Sequence, residues 1–140
     1  MLPRIRTALL WLPVAVLAAG CDNGPVITPT PVGPTVTQTF TGTLTKNGAL
    51  THQFSSLSRG TITATLTSLN PDSSLALGIS LGTWNIAQSS CQTILANDAA
   101  TIGKGVSGSV SGVGDLCLRV YDASGALTTS QDYSVDVVHP

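Results

Sequence analysis

This sequence predicts an all-β chain folded as one antiparallel β-sandwich, and three observations carry that expectation. Apolar residues alternate with Thr and Ser at a period of two, turn residues recur between the alternating runs, and no segment holds a convincing period of 3.6. A length of 140 residues, 42% hydrophobic and only 9% charged, allows one domain and hardly a second. The mean hydropathy of +0.32 reflects the first twenty residues and aliphatics scattered among Thr and Ser. No stretch approaches the roughly 20 apolar residues that a spanning helix needs.

The elements follow in order. Phe40, Gly42 and Leu44 alternate with threonines, Lys46-Asn47-Gly48 supplies a turn, and Leu50, His52 and Phe54 follow, so residues 38–55 read as a hairpin. Gly60 opens the clearest strand, with Ile62, Ala64, Leu66 and Leu69 facing in and Thr61, Thr63, Thr65 and Thr67 facing out. Asn70-Pro71-Asp72-Ser73-Ser74 is a turn by mechanism, because Pro fixes φ and the Asn and Asp side chains bond nearby backbone. Residues 75–84 form a further strand with Leu75, Leu77, Ile79 and Leu81 on one face. Residues 85–114 are rich in Gly and Ser and read mostly as loop, with a strand near 106–110 and helix conceivable only over 92–100. Residues 116–121 and 133–138 complete the set, with a turn at Ala123-Ser124-Gly125 between them.

Before the sandwich comes an address. Arg4 and Arg6 precede a twelve-residue apolar run, 8–19, which ends in small residues. That is the pattern of a secretory signal peptide over residues 1–20. The run is too short to span a membrane and carries Pro13 near its middle. Leu17-Ala18-Ala19-Gly20-Cys21 resembles the lipobox of bacterial lipoproteins, with Ala18 where the commonest form has Leu. The resemblance implies cleavage before Cys21 and acylation of its thiol, hence anchoring to a membrane of the bacterial envelope. Several buried acyl chains resist release, since each methylene contributes about 0.8 kcal/mol. Residues 21–37 then form a Pro/Thr-rich tether, with Pro25, Pro29, Pro31 and Pro34. Its sixteen residues after the cysteine would reach some 50 Å at about 3.1 Å each. The sandwich occupies residues 38–140.

With Cys21 assigned to lipid, Cys91 and Cys117 remain as a pair, and in an exported protein an even remainder means a disulfide. It would clip the 85–114 loop onto the strand bearing Leu116 and Leu118. A zinc site is the weaker reading, because no His cluster stands beside them.

Little in the chain speaks for catalysis. Six Lys and Arg against seven Asp give a net charge of −1, without the polybasic surface that nucleic-acid binding requires. His52 and His139 sit in no triad or metal spacing and read as solvated surface. Gly105-Val106-Ser107-Gly108-Ser109 comes near a nucleophile elbow without matching it. No cofactor is expected. Calcium is the one metal to weigh, with Asp72, Asp115 and Asp122 as weak candidates if the sandwich gathers them at one end. Trp84, at a strand end in a chain only 4% aromatic, is the candidate stacking platform for a sugar ring, set against plain packing. Tyr121 and Tyr133 fit as core or corner residues.

Phe54, Gly60-Thr-Ile-Thr-Ala-Thr-Leu66, Asp115-Leu-Cys-Leu-Arg-Val-Tyr-Asp122 closed by Gly125, and the last strand from Tyr133 together resemble the bacterial pre-peptidase C-terminal domain. The resemblance covers roughly residues 38–138 and departs in the middle, where the Cys91 segment replaces an Asp-rich stretch. It implies a small jelly-roll-like sandwich of a kind that accompanies exported enzymes and serves localisation, secretion or substrate binding, and the residues themselves offer no catalytic set. The expectation is therefore an exported lipoprotein displaying a binding or adhesion module for polysaccharide or an envelope protein. The alternative is a structural envelope component or an accessory subunit of a separate exported enzyme.

Overall fold

Branched Cβ atoms at alternate positions favour extended backbone because they pack well on a pleated surface. The structure, a computed structural model that describes residues 33–140, follows that preference throughout. Its strands are β1 (Val36–Leu44), β2 (Ala49–Ser56), β3 (Gly60–Asn70), β4 (Leu77–Asn85), β5 (Ser90–Ala100), β6 (Gly105–Val110), β7 (Gly114–Tyr121) and β8 (Gln131–His139). They form two four-stranded antiparallel sheets, ordered β1-β8-β3-β6 and β2-β7-β4-β5. The chain therefore changes sheet at every connection except the one between β4 and β5. This is the winding of a jelly roll, and the expected all-β sandwich is the observed architecture. Residues 1–20, read as a signal peptide, Cys21 and most of the expected tether lie outside the described residues. Val36 and Thr37 already belong to β1, so the sandwich begins slightly before residue 38.

The core lies between the sheets and is aliphatic. Leu44, Leu66, Leu77, Ile79, Leu118, Val120, Val135 and Val137 are fully enclosed. In β3 the inward set is Ile62, Ala64 and Leu66, as the alternation predicts, followed by Leu69. A bulge between Leu66 and Ser68 resets the period and brings Leu69 inside.

Two expectations are corrected. The turn at Lys46-Asn47-Gly48 forms, with Asn47 at φ 57° and the Gly48 N–H donating to the Thr45 carbonyl at 2.8 Å. Yet β1 and β2 are not a hairpin, for β1 pairs with β8 and β2 with β7. The turn carries the chain over the end of the sandwich from one sheet to the other. Within residues 85–114, read mostly as loop, the strand expected near 106–110 is β6, but residues 92–100, where helix was conceivable, belong to the strand β5. The register of β5 on β4 shifts twice, which breaks the period of two and leaves Ile94-Leu95-Ala96 as an unpatterned apolar run.

Cys91 and Cys117 form a disulfide with their Cα atoms 5.8 Å apart. What it clips is thus a strand, β5, and not a loop. β5 and β7 flank β4, and strands on either side of a third stand about 9–10 Å apart in a regular sheet. The shorter distance requires β5 to curl over the outer face of β4, and Gly82 makes that possible. Gly82 is the register partner of Cys117, and a Cβ there would lie 2.1 Å from the Gln92 carbonyl oxygen.

Two outcomes follow for stability. Replacing Cys91 and Cys117 together by Ser frees a 26-residue loop in the unfolded chain, and urea titration should show a loss of about 3.5 kcal/mol. Gly82→Ala should cost about 1–3 kcal/mol in the same titration, because the obstacle is backbone and cannot rotate away. A Gly82→Ala protein as stable as the wild type would contradict the curled hairpin.

Candidate functional site

Residues 78, 80, 82 and 84 share the outer face of β4, opposite the inward Leu77, Ile79 and Leu81. Trp84 stands at the end of this row, half-buried, paired with Cys91 and two residues before the exposed tip of the β4–β5 turn. At the other end of the row Gly78 leaves room for Tyr121, whose ring would stand 2.3 Å from a Cβ at that position. Six residues of strand separate the two rows, roughly 20 Å at about 3.3 Å each. The Tyr121 hydroxyl donates to the Asp98 carboxylate, and the Arg119 guanidinium lies 4.9 Å from the ring centroid. Burial, and then the Asp98 hydrogen bond and charge, raise the Tyr121 pKa against the opposing pull of Arg119. The outer face of this sheet thus carries one aromatic near each end with hydrogen-bonding groups beside Tyr121. Sequence reasoning singled out Trp84 alone, although Arg119 and Tyr121, two apart on a strand, must share a face.

The histidines are not solvated surface. His52 pairs in register with Leu118 and so faces the other sheet. Its Nε2 joins the Tyr133 hydroxyl at 2.6 Å, its ring stacks 5.1 Å from Phe40, and burial lowers its pKa. Tyr133 is enclosed, and its pKa is pushed up to about 12 by burial. His139 is buried too, with Nε2 donating to Gln38 Oε1 at 3.1 Å and its ring 5.0 Å from Phe54. Phe40 and Phe54, 6.0 Å apart, close the row, so Tyr133, His52, Phe40, Phe54 and His139 form a continuous file of rings. A jelly roll leaves β1 and β2 as facing edges, and these rings fill the gap between them.

The three aspartates do not meet. Asp115 and Asp122 stand at opposite ends of β7, and among the described residues no group of three His, Cys or Asp side chains gathers. Asp115 accepts from Ser55 Oγ at 2.9 Å. Asp72 accepts from the Ser74 N–H at 2.9 Å and from its hydroxyl, contacts that lower its pKa. Asp122 is a structural clasp. Burial raises its pKa, but backbone N–H donors of Asn47, Leu127, Ala126 and Gly125 together hold it below the usual range. It thereby ties the β1–β2 turn to the β7–β8 connection.

Two concavities open at the end of the sandwich where β1 begins. One, of about 330 Å³, lies between β5 and β6 on a floor of Phe54, Ile62, Leu81 and Leu116. The other, of about 570 Å³, lies between β1 and β2 beside His139 and Leu57. Every buried side-chain nitrogen and oxygen among the described residues has a partner, so neither contains a polar atom left to bond a ligand from full burial.

Neutral His52 belongs to the inter-sheet packing, and its folded pKa lies below the unfolded value of 6.5. Its contribution is therefore complete above pH 6.5 and declines as pH falls below it. Thermal melts should show Tm falling between pH 7 and 5, and His52→Gln should flatten that slope. An unchanged slope in the variant would place the pH sensitivity elsewhere.

No family model matches this chain, and no curated protein is similar to it in sequence, so what its site does is argued from its own residues.

Proposed function

We propose that the chain is an exported lipoprotein, held to a bacterial envelope membrane by an acylated Cys21, whose sandwich is a binding module without catalysis. The observation that carries this reading is the Cys91–Cys117 disulfide. Such bonds persist in oxidising compartments, which agrees with the export signal read from residues 1–20. The bond also pins the start of β5 across the outer face of its sheet at Cys91, the register partner of Trp84. The platform next to that pin is therefore rigid, and a fixed aromatic recognises a sugar ring at little entropic cost. The jelly-roll winding agrees with the fold implied by the pre-peptidase C-terminal resemblance. The polar groups with chemical potential are engaged in the fold itself: His52 and His139 in the ring file, Asp122 in its clasp, Asp98 with Tyr121. This supports recognition over turnover.

Two experiments test it. Cys21→Ser should move the protein from the membrane fraction to the soluble fraction, and an intact mass of unmodified protein from wild-type cells would defeat the anchor. Against a panel of cell-wall and environmental polysaccharides, with calcium added or withheld, the protein should bind one class. Trp84→Ala should then weaken that binding about tenfold, the scale of one aromatic contact. Binding indifferent to Trp84→Ala would remove the stacking role.

A further inference from the structure

The two ends of this sandwich differ. The connections β2–β3 (57–59), β4–β5 (86–89) and β6–β7 (111–113) lie at the end where β1 begins and β8 finishes. Contacts tie that end together, for the Leu57 N–H donates to the Pro140 carbonyl at 3.1 Å and Gly33 abuts Ser58. Each of these three loops carries one large aliphatic side chain in solvent: Leu57 at 76% exposure, Ile86 at 71% and Val113 at 78%. Val36, at the start of β1, is 51% exposed. The charged residue in these three loops is Arg59. At the opposite end each connection holds a charge, Lys46, Asp72, Lys104 and Asp122 in turn. A single exposed Leu needs no explanation, but three from separate loops that together hold one charged residue do, although the exposed Asp115 stands two residues beyond Val113.

We propose that this end is a membrane-docking tip, whose Leu57, Ile86 and Val113 enter the interfacial layer of a lipid bilayer. Two features select lipid as the occupant. The described chain begins at Gly33 on this same end, so the segment leading back toward Cys21 departs from the side that would meet the bilayer. The apolar groups also stand on three separate loop tips, an arrangement suited to a fluid surface that fills the space between them. With one charged residue among the tips, attachment comes from apolar area and not from attraction to anionic headgroups. Trp84 lies two residues from Ile86, near enough to report on the tips. The choice of lipid rests in part on the proposed anchoring at Cys21, while the partitioning of the tips is separable from it and is measured without acylation.

The test uses the chain from residue 21 onward with Cys21→Ser, in which Trp84 is the single tryptophan. It should float with vesicles of neutral phosphatidylcholine equally at low and high salt, with Trp84 emission shifted to the blue. Leu57→Ser, Ile86→Ser and Val113→Ser together should lower partitioning about tenfold or more, since each withdraws exposed aliphatic area. Ile102→Ser, at the opposite end, should leave it unchanged, and a urea titration confirms that the triple variant is folded. No flotation, flotation unaffected by the triple change, or flotation that needs anionic lipid and disappears in salt would each overturn the proposal. Uptake of a neutral apolar dye without flotation would overturn it in favour of a small-ligand site. If docking fails while Cys21 still governs cell fractionation, the anchor stands alone. If the triple variant leaves the membrane fraction and Cys21→Ser does not, docking stands and the anchor falls.

Discussion

The covalent crossing of β4 by the Cys91–Cys117 bond is the constraint on which the shape of the β2-β7-β4-β5 sheet depends. A strand that flanks β4 would ordinarily lie beside it, and here it is drawn over its outer face, across the bare backbone of Gly82. Trp84 is the register partner of Cys91 beside that crossing, Ile86 follows in the β4–β5 turn, and a cavity floored by Ile62 and Leu81 lies between β5 and β6. Local sequence, long-range covalent chemistry and surface shape meet at one glycine.

The other side of the sandwich is joined without covalent help. A core of Leu, Val and Ile packs well between sheets but reaches poorly across the gap between two edge strands. Five rings do that work, drawn from β1, β2 and β8. Their hydrogen bonds, His52 to Tyr133 and His139 to Gln38, satisfy the polar atoms that burial would otherwise penalise. At the polar end, Asp122 performs the same service for backbone, holding two connections in one carboxylate. His52, His139 and Asp122 are thus engaged in holding the two sheets and their connections together.

Much of this was legible in the sequence because a period of two reports which face is buried. The inward faces of β3 and β4 could be read, and β7 and β8 could be placed to within two residues at each end. Pairing was not legible, since alternation in β1 and β2 says nothing about which neighbour each will find, and a well-formed turn at Asn47 looks the same within a sheet as between sheets. β5 was hidden for a different reason: its two register shifts erase the period, leaving Ile94 and Leu95 adjacent without an evident face. The histidines were misread because spacing reveals metal and triad sites but not aromatic packing, which depends on strands 81 and 101 residues apart. The disulfide was legible from counting alone, once Cys21 was set aside.

That same count supplies the most direct test of the central claim, which is an exported, lipid-anchored module pinned by one disulfide. Protein recovered from cells, denatured and alkylated without reductant, can be digested and its peptides weighed. The account predicts a Cys91–Cys117 linked pair and an N-terminal peptide that begins at an acylated Cys21. Alkylated Cys91 and Cys117, or an unmodified peptide running through Cys21 from the residues before it, would contradict it.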